Sequence, residues 1–202
     1  MKFVFAVTLL LAIVSVANAA DTVQPLAPSN FCRQSGLKSA DGTQIKTPNC
    51  VSLEIGEIPS VNNMVSALIV NPKNGQAIKR NTAFNVNVKI ANLATGFFSD
   101  PAVDYYQIQQ TLDGNNIIQG HSHITIQKIN GNNVPDARVF AFFKGLNDAA
   151  VNGVLTVAVE NGLPQRGIYR ICTMNSSNSH QPVVMPVAQR GAQDDCIRIL
   201  VN

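Results

Sequence analysis

Phe84-Asn85-Val86-Asn87-Val88-Lys89-Ile90 is the stretch on which the fold turns. Apolar side chains at Phe84, Val86, Val88 and Ile90 alternate with Asn85, Asn87 and Lys89. An extended chain points successive side chains to opposite faces, so one face of this segment is buried and the other is wet. Upstream, Ala67 to Val70 is a short apolar run closed by the turn signal Asn71-Pro72-Lys73-Asn74-Gly75. Before that, Val51, Leu53 and Ile55 alternate with Ser52 and Glu54, which places the start of regular structure near Cys50. Downstream, Ile117-Ile118 leads into a strand over 123–129, and further strands are expected over 138–143, 154–159, 168–174, 183–187 and 196–201. The turn Asn161-Gly162-Leu163-Pro164 separates two of them, and one brief helix is expected over 146–151.

Many short strands with Gly, Pro and Asn turns between them predict an all-β chain, a single Ig-like β-sandwich over residues 50–202. The stretch from Leu163 to Tyr169 has two readings. One is the tyrosine corner of such a sandwich, with Cys172 three residues after the Tyr where two are usual; the other is an ordinary hairpin with a core Tyr.

Residues 20–49 are rich in Pro, Ser, Gly, Asn and Gln without a sustained period, so they read as an irregular N-terminal arm. Residues 1–19 read as a secretory signal peptide: Lys2 is the basic start, 3–16 is apolar, and Ala17-Asn18-Ala19 suits the peptidase. The apolar run is short against the roughly 20 residues of a membrane span. No small-residue site followed by an apolar tail closes the sequence, so no lipid anchor is expected. An exported chain with an even number of cysteines implies disulfides. Cys32 with Cys50 and Cys172 with Cys196 is the favoured pairing, because each pair is close in sequence and the pairs are far apart. The first bond staples the arm and the second ties the last strand to the one bearing Cys172.

The charge balance is +3 in 202 residues, with charged residues only 13% of the chain and no basic cluster, so nucleic acid is not an expected partner. Trp is absent, which disfavours a sugar-stacking module, although Tyr105 and Tyr106 remain. There is no nucleophile elbow, phosphate loop or dinucleotide fingerprint, so no catalytic residue is assigned. Removal of the leader exposes Ala20 and Asp21, not the N-terminal His that copper polysaccharide monooxygenases require. Asn175-Ser176-Ser177 is an N-glycosylation sequon, with Asn175 the expected acceptor.

The candidate chemistry lies in the three histidines. Gly120-His121-Ser122-His123 puts His121 and His123 on one strand face, with Ser122, Ile124 and Ile126 turned to the core. The pair is therefore expected on a polar outer face. His180, in Asn178-Ser179-His180-Gln181-Pro182, is the candidate third ligand of a copper or zinc site. Asp100, Asp104, Asp194 and Asp195 are candidates for a fourth ligand or an orienting carboxylate. The competing reading has the histidines as ordinary polar residues.

Several motifs together resemble a family of small secreted fungal proteins of unknown function. They are Tyr105-Tyr106, Gly120-His121-Ser122-His123, Phe142-Phe143-Lys144-Gly145-Leu146, Gly162-Leu163-Pro164, Tyr169-Arg170-Ile171-Cys172, His180-Gln181-Pro182-Val183, Pro186-Val187-Ala188-Gln189 and Asp194-Asp195-Cys196. The order Gly-His-rich strand, Leu163-Pro164 turn and later His180 also resembles small bacterial periplasmic Ig-like domains, which implies that His180 lies near the His pair. The expectation from all of this is a secreted or cell-wall-associated fungal protein acting by interaction at the cell surface or with a host, its partner a protein or wall component. The alternative is a copper- or zinc-binding module at His121, His123 and His180, extending to a metalloenzyme if a coordination position is open.

Overall fold

The computed structural model describes residues 26–202; the expected leader at 1–19 lies outside the described residues. The arm contains one helical turn and a half, α1 (Asn30–Ser35), whose first turn is capped by the Ser29 hydroxyl accepting from Cys32 N. A two-residue parallel ladder joins β1 (Lys38–Ser39) to β2 (Asn49–Cys50), and the Cys32–Cys50 disulfide pins the helix to it.

Two sheets face each other beyond the arm. The smaller has the order β3 (Ser66–Asn71), β5 (Phe84–Ala91), β9 (Val154–Val159), all antiparallel. The larger contains β4 (Ala77–Ile78), β6 (Leu93–Thr95), β7 (Ile118–Ile129), β8 (Phe142–Leu146), β10 (Gly167–Thr173), β11 (Ser176–Ser177) and β12 (Cys196–Val201). Its main path runs β8-β7-β10-β12-β4, with β4 parallel to β12. The inward residues of both sheets make one core: Val86 and Val88 from β5, Leu155 and Val159 from β9, Ile124 and Ile126 from β7, Tyr169 and Ile171 from β10, and Ile197 and Ile199 from β12. This is the expected Ig-like sandwich, and Val86 and Val88 at its centre are the residues that the opening alternation marks as buried. Tyr169 is buried and its hydroxyl donates to Gln165 O at 2.9 Å, so the corner reading holds.

Four expectations fail locally, the first being the strand over 138–143, which begins only at Phe142 where β8 starts. Residues 146–151 form no helix: Leu146 ends β8 and Val151 makes a single bridge to Val154. Residues 183–187 form no strand; they are held by side-chain bonds, Val184 N donating to Gln110 Oε1. Residues 51–55 alternate but have no neighbouring strand to complete a ladder, so sheet structure after β2 resumes at Ser66. In the last two cases an apolar run packs against loops without forming a ladder, which periodicity does not distinguish from a strand.

β7 positions the candidate site. It is the longest strand, and its partners change along its length. Its C-terminal half pairs with β10 on one edge. Towards its start, β11 continues the same register on that edge, while β6 and β8 occupy the other. His121 and His123 sit on this fully flanked part of the strand. The Cys172–Cys196 disulfide joins directly opposed residues of β10 and β12, with Cα atoms 4.2 Å apart.

A three-histidine cluster on the outer face of the larger sheet

Gly120 decides how closely the chain can pack beside the histidines. A Cβ built on it would stand 2.0 Å from Ser176 O, so only glycine lets β11 lie against the start of β7. That pairing leads the chain directly into the turn 177–181, where Ser177 N donates to Gln181 O and His180 N to Ser177 O. His180 takes a left-handed backbone at φ 77. The neighbouring Ser179 is fully buried and its hydroxyl binds Ile108, accepting from N at 3.1 Å and donating to O at 2.6 Å. These contacts lay the turn and the 96–110 segment over the outer face of β7.

The histidines share a face, as expected, but that face is not wet. His121 is 0% exposed and His123 6%. The physical reason is the second layer of loops, which the two-residue period of the strand cannot report. His121 and His180 rings lie 4.6 Å apart, His121 and His123 4.7 Å, and His123 and His180 5.4 Å. One ring nitrogen from each can serve as ligand, and these three atoms lie within 4.8 Å of one another. Trigonal ligation at the usual ~2.0 Å metal–nitrogen distance would bring them roughly 3.5 Å apart.

The hydrogen bonds orient two of the rings. His121 Nδ1 donates to Phe97 O at 3.0 Å, and His123 Nδ1 donates to Met174 O at 3.1 Å. Each bond fixes the proton on Nδ1 and leaves the Nε2 lone pair free, which is how metal-binding imidazoles are commonly held. His121 Nε2 and His180 Nδ1 are buried and have no hydrogen-bond partner. Burial pushes the pKa of His121 down to about 3, helped by the charges of His123 and His180 and opposed by the Phe97 bond. Burial likewise lowers His180 to about 4, with His123 adding to the effect and Asp100 opposing it, and burial lowers His123. All three are neutral at pH 7, the state in which imidazole binds metal.

Aromatic rings enclose the cluster. Phe98 stands edge-on to His121 and His180, Phe143 stacks on His123 at 5.4 Å, and Tyr105 lies 5.7 Å from His180. Of the four aspartates, only Asp100 exerts a field on the cluster. Asp194 accepts instead from Asn175 N and Thr173 Oγ1, and Asp195 accepts from Ile69 N. The orienting groups are the backbone carbonyls of Phe97 and Met174, and a carbonyl carries no sequence signal. Phe98 belongs to none of the sequence motifs, and its one signal is the adjacent Phe97.

The Asn175 of the sequon is packed inside the fold. Asn175 is 2% exposed and its Nδ2, the atom a glycan would modify, donates to Gln193 O at 2.7 Å. Asn175 thereby anchors the loop that carries His180.

The family profile described as CLU5d N-terminal domain matches residues 67–202, a span containing all three histidines. Pathogenicity cluster 5 protein d from Colletotrichum graminicola (strain M1.001 / M2 / FGSC 10212) is 45% identical over 178 residues, covering 86% of this chain and 37% of that protein. The chain thus spans well under half the length of that relative. Among solved structures, the PmoD soluble domain from Methylocystis sp. ATCC 49242 (Rockwell) is 10% identical with a TM-score of 0.35, over 68% of this chain and 89% of the other. A superoxide reductase (neelaredoxin) from Ignicoccus hospitalis is 11% identical with a TM-score of 0.31, over 68% of this chain and 80% of the other. Likenesses at this level carry no argument about the site.

Proposed function

The chain belongs to the CLU5d N-terminal domain family, and we propose that its biochemical activity is to bind one transition-metal ion through His121, His123 and His180. The convergence of three neutral imidazole nitrogens within 4.8 Å carries this reading. Two buried ring nitrogens lack any partner, and a buried polar atom without one costs about 1–3 kcal/mol. A metal ion satisfies both at once. Copper and zinc suit an all-imidazole donor set.

A second reading concerns the setting in which such a domain works. The relative's name ties that protein to pathogenicity. Two disulfides suit an oxidising compartment, and among the described residues no helix is long and apolar enough to cross a membrane. Phe98, Phe140 and Phe143 are exposed around the site. These observations favour a secreted or wall-associated fungal protein that acts by interaction, with the metal site as part of the interacting domain.

The deciding experiment is metal content and titration of the purified chain with copper and zinc at neutral pH, beside His121→Ala and His180→Asn. Asparagine is chosen at position 180 because it tolerates a left-handed backbone. One equivalent bound by the wild type and lost in both variants is the expected result. No binding, or binding indifferent to both changes, removes the metal reading and leaves the interaction reading to be pursued by pull-down.

A further inference from the structure

We infer that the site selects copper in the cuprous state over zinc and other divalent ions. This rests on the reading of His121, His123 and His180 as one metal site and names the ion that the site is built for.

The charge of the surroundings carries the inference. The three donors are imidazole nitrogens, which are uncharged when they ligate a metal, and among the described residues no carboxylate or thiolate joins their cluster. All four cysteines are in disulfides. The rings that hold their protons on Nδ1 give them to the carbonyls of Phe97 and Met174. A carboxylate in that position would bring a full negative charge to the site; a backbone carbonyl is neutral and brings none. Asp100 is the one acid whose field reaches the cluster, and it is exposed, with Oδ1 engaged by Ala102 N. Water therefore screens it. The aromatic neighbours are Phe98, Phe143 and Tyr105, which add no charge. An ion entering this cluster keeps nearly its whole charge. The cost of taking an ion out of water grows with the square of its charge, so a divalent ion pays about four times what a monovalent one does.

Coordination number argues the same way. Zinc on three histidines needs a water or another ligand in a fourth position, whereas a cuprous ion does not. Here three protein donors converge, and the flanks are aromatic. A three-nitrogen site that adds no anionic donor suits a soft monovalent ion, for which three ligands are enough.

The test is made anaerobically on the full metal-free chain. Cuprous affinity is measured by competition with bicinchoninate, and zinc affinity by competition with a chromophoric chelator. One cuprous ion should bind at least about 100-fold more tightly than zinc. His121→Ala and His180→Asn should both abolish it. Phe98→Asp places an anion beside His121 and His180 and should narrow the preference by roughly tenfold or more, whereas Phe98→Leu should leave it unchanged. Zinc binding equal to or tighter than cuprous binding overturns the selectivity and leaves the metal site standing. Failure of every ion to bind the folded wild type overturns both. An unchanged preference in Phe98→Asp overturns the argument from charge.

Discussion

Gly120 and Asp194 show how single residues place a site they do not belong to. A methyl group at position 120 collides with Ser176 O, a backbone atom that moves only with β11. Gly120→Ala is expected to cost about 1–3 kcal/mol, as overpacking does. It should also displace the turn bearing His180, so metal affinity should fall even where urea denaturation shows a folded protein. Undisturbed affinity in a folded Gly120→Ala would separate β11 from the site. Asp194 supports the same loop from beneath, through Asn175 N and Thr173 Oγ1. Burial raises its pKa, and those two bonds only partly offset the shift. A carboxyl whose pKa is higher in the folded state favours folding below its unfolded pKa, near 3.8, and loses that contribution as pH rises through the folded value. Asp194→Asn keeps an acceptor oxygen and removes the charge. It should therefore be as stable as the wild type or slightly more so at pH 7, and lose this advantage in acid. Denaturant midpoints at pH 7 and pH 3 measure it; a variant clearly weaker at pH 7 would mean that the ionised form is required.

Among elements, β7 and its two covering segments show what periodicity could and could not convey. The alternation of β5 and the apolar runs of β9, β10 and β12 translate directly into inward residues, because each strand has one core face and its pleat imposes period two. The outward face of β7 has the same period, yet its polar residues are buried at His121 and His123 by loops that carry no period at all. The joining of His180 to the pair was legible only as an order of motifs. The hydrogen bonds that aim the rings come from main-chain carbonyls, which every residue possesses. The Cys172–Cys196 disulfide closes the base of the segment bearing His180. Its closed loop of 24 residues constrains the unfolded chain by about 3–4 kcal/mol in the chain-entropy account. Replacing both cysteines by serine should lower the denaturation free energy by about that amount. Amide exchange should also quicken in residues 174–195 before it does in β5. Equal exchange in the two regions would show that side-chain bonds such as those of Asn175 and Ser179 hold the loop without the staple.

At the scale of the whole molecule, the proposed ligands belong to segments far apart in the chain, and the sandwich exists between them. His121 and His123 ride on a strand whose inner residues Ile124 and Ile126 are fully buried, while His180 rides on a turn fastened to the 96–110 segment and, through it, to the arm. Tyr105 N donates to Gly42 O, and Leu26 N donates to Gln107 Oε1, so the arm, the aromatic cap and the histidine turn form one connected layer. An unfolded chain holds the His-x-His pair but not the third ligand. Metal binding is therefore linked to folding, and an ion at about 100 times its dissociation constant should stabilise the folded state by about 2.7 kcal/mol. The melting temperature of the wild type should rise on loading with one equivalent of cuprous ion. His180→Asn, which retains the pair on β7, should show little or no rise. A similar rise in both proteins would mean that the ion is held by two histidines of a single strand, and that the layer formed by the arm and loops contributes stability but not a ligand.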